Sequence, residues 1–125
     1  MITAKLIIQK GIKNGDFELA WSFILDFENE QNPFDDIKDS IKLWKQYAAV
    51  EVAPETSIKE MAEKYVTKYG FQAKDSLHIS AAIFSGSAFL ITTDSKMIKK
   101  GQNLKKIRIL NPISFIAAME VENDQ

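Results

Sequence analysis

Between Lys74 and Asp94 the chain reads KDSLHISAAIFSGSAFLITTD, with Asp75 and Asp94 at either end of 18 uncharged residues. From Ala73 to Ser85 the apolar positions Leu77, Ala81 and Phe84 and the set Ile79, Ala82 and Ile83 recur at helical spacing, with Gly70 as a stop for the preceding helix. Ser85-Gly86-Ser87 breaks the helix, and Ala88 to Thr93 is an apolar, β-rich run of the kind buried on both faces of a parallel sheet. A helix of about 12 residues covers roughly 18 Å, and a strand of about six residues returns roughly 20 Å. Asp75 and Asp94 therefore return to the same edge of the sheet, which reads as half of a metal site. In open α/β sheets the carboxyl edge is where ligands bind. Two structural readings stand beside this one. Asp75 also suits the positive end of a helix, and Asp94 also suits a turn or the cap of the next helix.

The rest of the chain predicts alternating helices and strands. Helices are expected over Ile2 to Lys13, Ile24 to Gln31, Phe34 to Tyr47, Pro54 to Tyr69 and Ser95 to Gly101, with a last one after Asn111-Pro112. Strands are expected over Phe17 to Phe23, Val50 to Ala53 and Ile107 to Leu110, besides the one ending at Thr93. This order implies an α/β domain with a parallel sheet layered by helices. A chain of 125 residues is expected to form a single domain with a real core, and Glu120 to Gln125 is expected to fray. A βαβ unit begins with a strand, yet here the first element is a helix, so the sheet is expected to lack its first strand.

Composition narrows the chemistry. With no cysteine and His78 as the single histidine, thiolate zinc sites, zinc hydrolysis and serine-histidine catalysis are disfavoured. The lack of cysteine suits a reducing, cytoplasmic setting. Neither GxGxxG nor GxxxxGK[ST] occurs, which disfavours dinucleotide and P-loop sites. The polar residues within 76–93 argue against a membrane span, and the first residues read as an amphipathic helix, not a signal peptide. A helix after the Phe17 to Phe23 strand would start at the same carboxyl edge and carry Asp26 and Glu28. These lie about 200° apart, so one of them faces the crevice. Three acids converging there would suit an oxygen-seeking cation.

These residues resemble the PIN-domain ribonucleases, many of which are toxins of toxin-antitoxin pairs. The likeness rests on Ser22 followed by Glu28-Asn-Glu-Gln-Asn32-Pro33, on Gly70-Phe-Gln-Ala-Lys-Asp75-Ser-Leu-His78-Ile-Ser-Ala81, on Leu90-Ile-Thr-Thr93-Asp94, and on Leu110-Asn111-Pro112 with Phe115. It implies a three-layer α/β/α, Rossmann-like fold, and RNA as substrate. It further implies that Glu28, Asp75 and Asp94 correspond to acids of a Mg²⁺ or Mn²⁺ cluster that activates water. Thr93 would steady Asp94, and His78 is read as structural. An antitoxin protein is the implied partner. Family members also open with a strand carrying a further metal-binding Asp, in a pattern such as L-D-T-N, and residues 1–15 contain no acid. By the resemblance that strand would lie centrally, between those matching Phe17 to Phe23 and Ala88 to Thr93. Its absence is expected to make the flanking strands close up, or a second copy pair with the exposed edge. Lys96, Lys99 and Lys100, with Lys105, Lys106 and Arg108, would steer RNA toward the acids, or simply form a solvated face.

Overall fold

The computed structural model describes residues 3–123; Met1, Ile2, Asp124 and Gln125 lie outside the described residues. Helix α1 (Ala4–Asn14) starts where the Thr3 hydroxyl accepts the Leu6 N–H, and ends at Gly15, whose φ of 84° lets its N–H reach back to Gly11 and Ile12. Strand β1 (Leu19–Ser22) is shorter than the expected Phe17 to Phe23, because Phe23 already opens α2 (Phe23–Glu30). Asn32-Pro33 stops that helix, and the Asn32 side chain accepts the Phe34 N–H at the turn. Next come α3 (Asp35–Trp44), a 3-10 turn (Lys45–Tyr47) and β2 (Ala48–Val52). The second half runs α4 (Thr56–Tyr69), α5 (Ala73–Phe84), β3 (Phe89–Ile91), α6 (Ser95–Gly101), β4 (Arg108–Leu110) and α7 (Pro112–Asn123). Asn111 caps α7 by accepting the Ser114 N–H. Helix α7 extends to Asn123, and the rest of the tail, Asp124 and Gln125, lies outside the described residues.

The molecule is mixed α/β with parallel pairing, as the alternation of elements implies, but its strands do not form one sheet. β1 pairs with β2 and β3 with β4, each pair parallel, and the two pairs are not joined. The expected closing-up of β1 on β3 does not occur. A physical reason lies in what stands around them. Helix α5 packs on both β1 and β3, and Phe115 of α7 sits edge-on to Phe17 and to Phe89, with ring centroids 5.1 Å away in each case. These side chains bridge the two pairs and hold them apart.

The core divides in the same way. Phe71, Ile79, Met97, Leu104, Ile107 and Ile109 form one buried cluster around β3 and β4, and Ile24, Val52, Ile58 and Ala81 form another beside β1 and β2. Helix α5 supplies both, Ile79 to the first and Ala81 to the second. It also packs against α4, where the Ser76 hydroxyl donates to the Ala62 carbonyl at 2.7 Å. Small residues at that crossing let the two helices approach closely. No helix among the described residues is long and apolar enough to cross a membrane.

Candidate functional site

Helix α5 packs against both β1 and β3. Asp75 sits in the first turn of α5 and is half-buried, next to the positive end of the helix dipole. One turn on, the His78 Nε2 contacts the Glu28 Oε1 of α2. That contact ties α2 to α5. His78 thus bonds a neighbour, consistent with its structural reading. It was not expected as the partner of a site acid.

Of Asp26 and Glu28 on α2, Glu28 is the one that meets α5, through His78. Asp26 turns the other way: it accepts from the Trp21 indole at 2.9 Å and from Lys45 at 3.0 Å, and Lys45 also meets Glu51. Burial pushes the Asp26 carboxyl up, but the bonds from Trp21 and Lys45 outweigh it and hold the group below its ordinary value. The 200° separation of the two positions is what sends them to opposite sides.

Asp94 follows β3 and is exposed. Its Oδ1 accepts the backbone N–H groups of Lys96 (3.0 Å) and Met97 (3.2 Å), which makes it the cap of α6. The hydroxyl that supports it belongs to Thr92, not Thr93. Thr92 Oγ1 accepts the Asp94 N–H at 3.1 Å, while Thr93 is exposed. In this turn a hydroxyl two residues back lies nearest the amide, and the T-T pair alone could not say which threonine would serve.

Glu28, Asp75 and Asp94 are the right donors for an oxygen-seeking cation. Their arrangement does not complete a site. Among the described residues no three His, Asp or Glu side chains come close enough to hold a metal ion. Glu28 is engaged by His78, and Asp94 by the α6 amides. As placed, the three acids do not fit Mg²⁺ or Mn²⁺ as a formed centre.

Lys96, Lys99, Lys100, Lys105, Lys106 and Arg108 are all exposed, and none forms an ion pair among the described residues. They form a basic face around α6 and the start of β4. Arg108 also lies over the Phe89 ring, 5.7 Å from its centroid. Trp21 is buried and Trp44 half-buried against Tyr47, so neither offers an open stacking platform.

Beneath the carboxyl edge, between β1 and β3, runs a slot of about 680 Å³. Side chains of α1, α5 and α7 line it with residues of β1, β2 and β3; His78 is among them, and Asp16 and Glu18 stand near the start of β1. In comparisons with protein-family models, curated proteins and solved structures, the chain matches none.

Proposed function

We propose that this chain is a PIN-like module of the endoribonuclease type whose own metal-dependent cleavage of RNA is impaired. The observation that supports this reading is the contact between Glu28 and His78. It brings the acid of α2 against α5, at a residue one turn beyond Asp75. The basic face carrying Lys96, Lys99 and Lys100 adjoins Asp94 and would attract a phosphate backbone. Mg²⁺ or Mn²⁺ is the proposed cofactor. RNA is the proposed substrate, an antitoxin protein the proposed partner and the cytoplasm the proposed setting.

The discriminating experiment titrates Mn²⁺ into the protein and follows cleavage of a labelled single-stranded RNA, for wild type and Asp94→Asn. Asn caps a helix about as well as Asp, so the variant keeps α6 while losing an anionic ligand. Metal uptake and slow cleavage that both fall in Asp94→Asn support the enzyme. Their absence from the wild type removes it. The second reading is then a non-catalytic module that binds protein, which the slot between unjoined strand pairs favours.

A further inference from the structure

The slot beside β1 and β3 has the chemistry to take an added strand. Each strand is hydrogen-bonded on one side only, so each turns a free backbone edge away from its partner. The slot holds about 680 Å³. Its walls are largely apolar, with Leu19 and Ile91 from the strands, Ala82 from α5, Ile12 from α1 and Met119 from α7.

The charges within the slot lie at its ends. Asp16 and Glu18 stand at the amino end of β1, both exposed and neither in an ion pair among the described residues. His78, at the carboxyl end, is already engaged by Glu28. Two free carboxylates at one end of an apolar channel favour a ligand that is cationic at one terminus and apolar along its length.

We propose that the slot receives an extended peptide segment of another polypeptide as a parallel strand between β1 and β3. The segment has about five apolar or β-branched residues, preceded by lysine or arginine that meets Asp16 and Glu18. Backbone edges provide affinity and the end charges set direction, as in other cases of strand addition. The proposal requires neither metal nor RNA, so it stands or falls apart from the nuclease reading.

The test uses the full chain and a fluorescein-labelled peptide, Lys-Lys-Val-Ile-Val-Val-Thr with blocked ends. Anisotropy should show saturable one-to-one binding, and hydrogen exchange should slow at amides of both Leu19–Ser22 and Phe89–Ile91. N-methylation of alternate peptide amides should weaken binding at least tenfold, because it removes donors and keeps the side chains. The double variant Asp16→Lys/Glu18→Lys, confined to exposed positions, should weaken the lysine peptide about three- to tenfold and favour its Glu-Glu counterpart. No protection of either strand at millimolar peptide overturns the proposal. Equal binding of the N-methyl peptide overturns strand addition and leaves an apolar pocket. Protection of both strands that rises with protein concentration without peptide, together with a dimer mass, overturns it in favour of a second copy.

Discussion

Around β3 and β4, Phe71 and the tyrosines Tyr65 and Tyr69 of α4 close into one cluster with aliphatic side chains of α5, α6 and the strands, and the crossover between the strands is the short helix α6. Around β1 and β2 the buried cluster is smaller, and the crossover is long: α2, α3 and a 3-10 turn. That crossover leaves Phe27 (62%), Phe34 (61%) and Leu43 (62%) exposed, and polar ties hold much of it. Lys38 and Lys42 meet Glu30, Asn29 donates to the Lys38 carbonyl, and Lys45 links Asp26 to Glu51. Buried apolar area is worth far more per residue than half-exposed charge pairs. The β3–β4 half should therefore carry most of the stability, with the β1–β2 half following through α5.

The sharpest way to break this contrast is to remove a buried side chain from one half and an exposed one from the other. Ile79, 0% exposed in the β3–β4 cluster, should lose about 2–5 kcal/mol of unfolding free energy as Ile79→Ala in a urea titration. Leu43→Ala should change it by less than about 0.5 kcal/mol. Comparable losses would show the exposed apolar face to be covered in solution.

Gly101→Ala should cost about 1–3 kcal/mol by thermal melting. An added Cβ would collide with Ile109 and approach Phe71, so overpacking outweighs the gain of about 1 kcal/mol that alanine ordinarily brings to a helix. A neutral result would mean that this half is packed more loosely than it looks.

Asp94→Ala should destabilise by about 0.5–2 kcal/mol through loss of the α6 cap, with Asp94→Asn close to wild type. If both variants melt together, capping does not explain the position.

The smallest expected effect lies in the β1–β2 half. The Asp26 carboxyl is held below its ordinary value of 3.8, so its contribution to stability is present above that value and is lost as pH falls through the lower folded one. Lys45, raised above 10.5 chiefly by the hydrogen bond it donates to Asp26, behaves oppositely: its contribution is present below 10.5 and fades as pH rises through the folded value. Lys45→Met should flatten part of the acid limb of the melting temperature against pH, and only slightly, since both groups are well exposed. An unchanged acid limb would remove the Asp26–Lys45 tie from the account.

Much of this architecture was legible in local letters. Gly15 and Gly70 end helices in the left-handed conformation, Asn32-Pro33 and Asn111-Pro112 separate elements, and α6 runs over the expected residues. Strand ends were less legible. The expected Val50 to Ala53 strand is Ala48–Val52, and Ala88 to Thr93 contracts to Phe89–Ile91, because a strand's length depends on how far its partner runs alongside. The site was legible in part. The opposite bearings of Asp26 and Glu28 follow from helical geometry, and the capping alternative for Asp94 is what the structure shows. The Glu28–His78 contact joins residues 50 apart, and no local pattern carries it.

By itself the sequence determined which segments are helix or strand and that the pairing is parallel. Periodicity, caps and chain reach decide those within a few turns. Only the tertiary structure decided that the strands form two pairs instead of one sheet, and that among the described residues the acids stand without a formed cluster. Those outcomes depend on how α5 and Phe115 pack against strands far away in the chain, where burial and backbone hydrogen bonding compete over contacts that local propensity cannot weigh.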